Sequence, residues 1–309
     1  MIRTRFAPSP TGDLHVGGAW TALASYALAR HHKGQIVLRV EDIDTPRVVE
    51  GSRERIERDL AWLGIRFDEG DTVASGSFGP YTQSKRTQRY ANALHHLAAT
   101  TYLCDCSRAE IARAASAPHE GEETVYPGTC SLQDPHREMK RAPAVRLRVP
   151  SGTTYSFHDQ VMGESTQRID TAVGDFVLQR GDGVYSYQLA VAVDDAEMQI
   201  TDIVRGSDLL ASTHRQVLLM KLLALEPPQR YWHVPLVVSA SGDRLAKRVR
   251  EATIASLRER GYSPETIVGE MAFGLGLCPD NAPRSADEVV GSLQNISFSR
   301  QAWTLPSDW

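Results

Sequence analysis

The chain opens on a short apolar run, Ile2 to Phe6, broken by Pro8, Pro10 and Gly12. Beyond the break, Ala19 to Arg30 is rich in Ala and Leu. This pattern predicts a strand, a tight loop and a helix, in that order. Gln35 to Val40, with its β-branched residues, predicts a second strand. Glu50 to Leu63 reads as an amphipathic helix ended by Gly64, and Lys85 to Ala99 as another helix. Strands alternating with helices over residues 1–100 imply a parallel sheet with helical crossovers. The texture then changes. Residues 101–135 hold three cysteines around a Gly/Glu/Pro-rich stretch. Short strands follow at Ala144 to Val149, Thr153 to His158 and Phe176 to Leu178. From Tyr187 the α/β alternation returns, with a strand over Ile200 to Val204 and a helix over Thr213 to Leu223. Residues 251–309 read as mostly helical, with Pro/Gly breaks.

A chain of 309 residues is long enough for about two domains and a sizeable core. No apolar run reaches membrane-spanning length, and an opening strand leaves no signal peptide. Four cysteines are too few for a disulfide scaffold, so a reducing, cytoplasmic setting is expected. The net charge of −4 excludes a globally basic nucleic-acid binder. Charge is uneven, however. Arg137 to Arg148 holds five basic residues against one acid, and Arg244 to Arg260 six against two. Each run is either a solvated face or a contact to a phosphate backbone.

Candidate chemistry falls at five places. The first is the start of the first helix, where unpaired N–H groups suit a phosphate, Gly17 and Gly18 permit close approach, and His15 adds a donor. The second is the end of the second strand, where Glu41, Asp42 and Asp44 cluster before Pro46. Asp44 or Thr45 suits a helix N-cap there, whereas Glu41, nearest the strand end, suits an ammonium group. The third is Arg205-Gly206, where a strand-end arginine suits a bidentate grip on a carboxylate or a structural pair with Asp208. The fourth is the basic loop Gly242 to Arg248. The fifth is Cys104-Asp105-Cys106 with Cys130, a metal-ligand spacing whose alternative is a set of buried apolar thiols. His119 and His136 are physical candidates for a fourth ligand.

Four of these strings carry a resemblance. Arg5 to Gly18 resembles the HIGH signature of class I aminoacyl-tRNA synthetases in its glutamyl form. Leu38 to Arg47 resembles their LRxEDTDxxR segment, with Ile43 for threonine. Tyr187 to Leu210 resembles YQLAxVxDD…RGxDLL. Gly242 to Arg248 resembles the KMSKS loop in its KLSKR form, with Arg244 for the first lysine and Ala246 for the serine. The resemblance implies a Rossmann-like, parallel-sheet nucleotide-binding catalytic domain split over residues 1–100 and 185–232. It implies an inserted zinc-containing α+β module that binds tRNA over 101–184, and a KMSKS-loop and mainly helical region over 233–309.

It also implies roles for residues. Glu41 holds the α-amino group of L-glutamate. Arg5 and Arg205 hold its carboxylates, Arg5 that of the side chain, and Ala7, Ser9 and Tyr187 line the pocket. His15 and Lys247 stabilise the phosphates of ATP, with Gly17, Gly18 and Arg244 at the same nucleotide. Mg²⁺ accompanies ATP, and one structural Zn²⁺ is held by Cys104, Cys106, Tyr126 and Cys130. The resemblance spans roughly residues 1–250, and 59 residues follow Arg250, too few for a large anticodon-binding region. The implied branch is therefore the truncated paralogues, which transfer glutamate to queuosine in tRNA(Asp). The expected partners are L-glutamate and queuosine-containing tRNA(Asp), with no membrane and a monomeric state. A compact enzyme charging a tRNA 3′ end, and a non-catalytic RNA-binding paralogue, are the competing readings.

Overall fold

The computed structural model describes residues 1–74, 76–114, 125–239 and 252–309. The basic loop Gly242 to Arg248, and with it Arg244, Ala246 and Lys247, lies outside the described residues, as does His119. In the first part of the chain β1 (Arg3–Phe6), α1 (Val16–His31), β2 (Gln35–Leu38), α2 (Ser52–Trp62) and α3 (Thr87–His96) follow one another. β1 and β2 pair in parallel, with Arg5 opposite Val37. β2 stops at Leu38, two residues short of the expected end, because the chain changes partner. The Arg39 N–H still reaches the Phe6 carbonyl, but Val40 exchanges bonds with Tyr81 and Gln83. α3 starts at Thr87 because Gln83–Arg86 forms a separate 3-10 turn.

The middle of the chain forms β3 (Thr101–Cys104), α4 (Arg108–Ala114), β4 (Ala144–Leu147), β5 (Thr154–Asp159), β6 (Gly163–Arg168), α5 (Ile169–Ala172) and β7 (Val177–Gln179). It is divided between two sheets. β3, β4 and β7 make an antiparallel sheet of their own. The β5–β6 hairpin joins another sheet, of order β6-β5-β9-β8, through Asp159 opposite Tyr231. The remaining elements of that half are α6 (Tyr187–Glu197), β8 (Asp202–Gly206), α7 (Leu210–Leu222), β9 (Arg230–Val234) and β10 (Val237–Val238). β8 and β9 run parallel, and β8 lies beside β1, where the Thr201 N–H donates to the Arg3 carbonyl at 2.8 Å. The carboxyl ends of β1, β2, β8 and β9 therefore open on one side, the side where open α/β sheets bind ligands.

α1 is apolar on nearly every face, and Val16, Leu23, Leu28 and Ala29 are all sealed from solvent. Such a helix needs neighbours all round. They come from β1 and β2 on one side and from α8 (Ile254–Glu259), α9 (Pro264–Gly274) and α10 (Ala286–Ser292) on the other. β11 (Trp303–Thr304) pairs with β10, and Trp303 stacks on Trp20 of α1 with ring centroids 5.0 Å apart. Arg258 bonds buried Asp59 at 3.0 Å, and Tyr26 donates to Asp287 at 2.6 Å. The final fifty-odd residues thus share the core of the sheet-bearing unit. No helix among the described residues is long and apolar enough to cross a membrane.

Candidate active site

Arg5, on buried β1, reaches across to β8. Its Nη1 donates to the Val204 carbonyl at 2.9 Å and its Nε to Asp195 at 3.3 Å. Arg39, one residue past β2, is fully buried. It donates from Nη1 to the same Asp195 oxygen at 2.6 Å and from Nη2 to Glu41 at 3.0 Å. Burial pushes the Glu41 carboxyl up against the pull of Arg39 and Arg5. Burial works to raise Asp195 too, but Arg39 and Arg5 hold it below the ordinary carboxylate range. Burial lowers the Arg5 guanidinium, and Asp195 offsets this only in part. These groups share one low-dielectric pocket, so each charge is felt strongly by the next.

Arg205, on β8, is bound only by neutral groups. It donates to His233 Nε2 at 3.0 Å, to Thr213 Oγ1 at 2.8 Å and to the Tyr187 hydroxyl at 3.4 Å. No carboxylate among the described residues lies within salt-bridge distance of it. Asp208, the structural partner expected from sequence, is not paired with it. His233 Nδ1 lies 2.6 Å from Asp159 Oδ2. A guanidinium N–H can only donate, so His233 accepts at Nε2 and carries its proton on Nδ1. Burial pushes this imidazole down to about 4, outweighing the bond to Asp159. Tyr187 begins α6, whose N-cap Ser186 accepts from the Leu189 N–H; burial raises its phenol.

His15 occupies the N-cap position of α1 without capping it, and its side chain is exposed. With Gly17, Gly18, Gly206 and Val237 it lines a cavity of about 300 Å³. A Cβ placed on Gly17 would meet no atom of the described residues within 4 Å, so its absence leaves open space beside His15. Described residues close in sequence to positions 240–251 lie at this cavity or beside His15. Val237, two residues before Ser239, lines it, and the Val16 and Ile254 N–H groups bond the Ala252 and Leu14 carbonyls on either side of His15. A second cavity, of about 740 Å³, runs from Ser9, Glu41 and Tyr187 to Cys106 and Arg180. Ala7 sits half-buried just past β1, where the Pro8 carbonyl accepts from the Glu41 N–H.

The cysteine set converges at the end of β3. The sulfurs of Cys104, Cys106 and Cys130 lie within 4.8 Å of one another. The Tyr126 hydroxyl is 3.4 Å from the Cys104 sulfur and 3.7 Å from that of Cys106. Three sulfurs and one phenol oxygen make a four-donor set, the number zinc takes, and the residues fit that ion. His136 is exposed and outside the set. Around the set, Asp105 binds Arg137 at 2.5 and 2.8 Å, and the Arg146 guanidinium lies 3.8 Å above the Tyr126 ring. Much of the basic run over residues 137–148 is spent here: Lys140 and Arg141 pair with Glu110, and Arg148 lies over Tyr102.

The structure thus brings together Arg5, Glu41, Tyr187 and Arg205 from β1, the end of β2, α6 and β8. Sequence reasoning gave no role to Arg39, Asp195, Thr213, Asp159 or His233, which hold those four in place. A histidine at the carboxyl end of a parallel strand was the available signal for His233.

The chain is similar to known proteins along nearly its whole length. Residues 1–295 match the model of tRNA synthetases class I (E and Q), catalytic domain. The glutamyl-Q tRNA(Asp) synthetase of Nitratidesulfovibrio vulgaris is 43% identical, over 100% of this chain and 97% of that one. That of Symbiobacterium thermophilum is 42% identical with the same two coverages, 100% and 97%. The crystal structure of glutamate-tRNA synthetase from Elizabethkingia anophelis superposes with a TM-score of 0.83 at 27% identity, over 99% of this chain and 68% of that chain. The chain belongs to the class I tRNA synthetases of the glutamyl and glutaminyl group, in the branch of the glutamyl-Q tRNA(Asp) synthetases.

Proposed function

We propose that the protein activates L-glutamate with ATP and transfers the glutamyl group to queuosine at the wobble position of tRNA(Asp). One observation carries the amino-acid part: Arg205 is a buried guanidinium with only neutral partners among the described residues, next to Glu41 and Tyr187. A buried charge without a counter-ion is costly, so a ligand carboxylate is its natural partner. The ion pairs point the same way: Arg39 faces Asp195, Glu41 and Asp194, and Arg5 faces Asp195, whereas Arg205 faces no carboxylate among the described residues. Glutamate, with two carboxylates and one ammonium at neutral pH, brings one net negative charge.

Sequence reasoning favoured Arg5 for the side-chain carboxylate. Its Nε and Nη1 are already engaged by Asp195 and Val204, so Arg205 with Tyr187 supplies the main grip and Arg5 assists. Glu41 takes the ammonium. This pose leaves the α-carboxylate to attack the α-phosphorus of ATP. The new bond joins carboxylate oxygen to phosphorus, the bond to the bridging oxygen breaks, and pyrophosphate leaves. No side-chain base is needed, because the nucleophile is already an anion. His15, the N-terminal turn of α1 and Lys247 stabilise the phosphates, and Mg²⁺, when bound to them, neutralises further charge. Positioning and electrostatics make up the catalysis.

In the second half-reaction a hydroxyl oxygen of the queuosine cyclopentene diol bonds to the acyl carbon. The bond from that carbon to the phosphate oxygen breaks, AMP departs, and the hydroxyl proton passes to the AMP phosphate or to water. Cys104, Cys106, Tyr126 and Cys130 would hold one zinc, which when bound staples the loop facing the acceptor side.

The test uses radiolabelled glutamate, ATP, queuosine-containing tRNA(Asp), the same tRNA without queuosine, and tRNA(Glu). Label entering only the first supports the proposal. Label on tRNA(Glu), released as a 3′-terminal ester, would make the protein a compact charging enzyme. No incorporation and no pyrophosphate exchange would favour a binding protein.

A further inference from the structure

We infer that the 740 Å³ cleft beyond the glutamate pocket is the acceptor-nucleoside subsite, and that the Asp44 carboxylate receives the cis-diol of the acceptor ring; this rests on the functional reading above. The cleft has the volume of a site for a drug-sized ligand. Glutamate fills only its Glu41–Tyr187 end. The rest extends to a wall made by the Cys104–Ser107 turn on one side and Arg180 on the other.

Three carboxylates line this space: Glu41, Asp44 and Asp105. Two are committed. Glu41 is bound by Arg39 and takes the glutamate ammonium in the reading above, and buried Asp105 is bound by Arg137 and the Lys140 N–H. Asp44 is different. About a third of its side chain is exposed, at 32%. Its Oδ1 accepts from Arg180 at 3.1 Å, and its Oδ2 lies 4.0 Å from Arg47, beyond hydrogen-bond distance. One oxygen therefore lacks a hydrogen bond among the described residues. It caps nothing either: it stands at the N-cap of the 3-10 turn Thr45–Arg47 with no side-chain bond to it.

An ionised carboxylate accepts two hydroxyl donors at once, which is how an acidic residue takes a ribose diol in dinucleotide folds. Arg180 fixes the orientation of the carboxylate. The other end of the Arg180 guanidinium, Nη2, in turn donates to Asp182. The cleft is also bordered by Arg47 and Arg108, cations suited to the phosphates of a single-stranded RNA loop with a splayed base. Phosphates supply orientation, and the diol supplies discrimination.

The experiment compares two reactions of the full chain bearing Asp44→Asn. Glutamate-dependent ATP–pyrophosphate exchange reports activation and confirms the fold. Transfer of labelled glutamate to queuosine-containing tRNA(Asp) reports the acceptor step. The expected result is exchange within about twofold of the unsubstituted protein and a fall in transfer kcat/KM of roughly thirtyfold, the scale of losing charge-assisted hydrogen bonds. As a second readout, tRNA(Asp) carrying a precursor base without the diol should inhibit the unsubstituted protein more weakly than queuosine-containing tRNA(Asp) binds it. Asp44→Asn should bind the two alike. Equal losses in exchange and transfer, an unchanged transfer rate, or a retained preference for the diol would each overturn the inference. An unsubstituted protein that exchanges pyrophosphate yet transfers nothing to queuosine-containing tRNA would instead remove the functional reading, and the inference with it.

Discussion

Arg205 Nε and His233 Nε2 lie 3.0 Å apart, from adjacent parallel strands, and both side chains are buried. The histidine is oriented in turn by Asp159, from a third strand. Asp159, His233 and Arg205 therefore form a chain that fixes the plane of the guanidinium, with Nη1 toward Tyr187 and Nη2 on Thr213. His233 is a positioning residue. Replacing it by Ala should raise the KM for glutamate about tenfold in pyrophosphate exchange, the scale of one charge-assisted hydrogen bond. The KM for ATP should stay unchanged. A parallel rise in both would mean general loosening of the sheet and would remove the positioning role.

The same ring makes stability depend on pH. In the folded chain its pKa is about 4, and in the unfolded chain a histidine titrates near 6.5. Between those values the unfolded chain binds a proton that the folded chain does not. The contribution is thus fully present above about pH 6.5 and is lost as pH falls through about 4, to a total of about 3 kcal/mol. Asp159 is held below the ordinary carboxylate range and acts in the same direction at lower pH. Urea unfolding at pH 7 and pH 5 should show a steep loss for the native sequence and a shallower one for His233→Asn. Equal slopes would show that some other group controls the acid limb.

These two relationships also mark the limit of what the sequence discloses. The strand–loop–helix at the start is written locally, in an apolar run, two prolines and a glycine, and the structure places β1 and α1 there. Arg5, Glu41, Tyr187 and Arg205 stood out because each sits in a distinctive string. His233 did not, since its meaning depends on Asp159, 74 residues away on a different hairpin. Nothing in the spacing of the two could show that β5 lies next to β9. The same long-range pairing drew the β5–β6 hairpin onto the β8–β9 sheet and away from the sheet that carries the cysteines. Asp208 failed as a partner of Arg205 for the opposite reason: proximity in sequence suggested a pair that the turn after β8 does not make.

Glu41 tests the amino-acid pocket most directly. It is buried and bonded to Arg39, and burial already raises its carboxyl. Glu41→Gln keeps the shape and removes the charge meant for the ammonium. The kcat/KM for glutamate in pyrophosphate exchange should drop by about a hundredfold, while far-UV circular dichroism stays the same. Arg5→Ala should cripple the same reaction, with Asp195 still held by Arg39 at 2.6 Å. Exchange at the native rate in either variant would sink the pocket assignment.

The cysteine knuckle yields a prediction that does not rest on activity. Three sulfurs within 4.8 Å of one another and the Tyr126 hydroxyl form a closed, four-donor set on a segment with a small core of its own. A segment so poor in apolar burial gains most of its rigidity from a bound metal. Purified protein should contain one zinc per chain. Cys106→Ser should lose it and expose Cys104 to alkylation, with a fall in Tm. Cys278 is buried in a different core, under α9, and should stay protected in both proteins. Metal-free protein whose Cys104 reacts freely from the start would remove the zinc site. If zinc is present, its slow removal by a chelator should release Cys104, Cys106 and Cys130 together, because no two of them can hold the ion without the third.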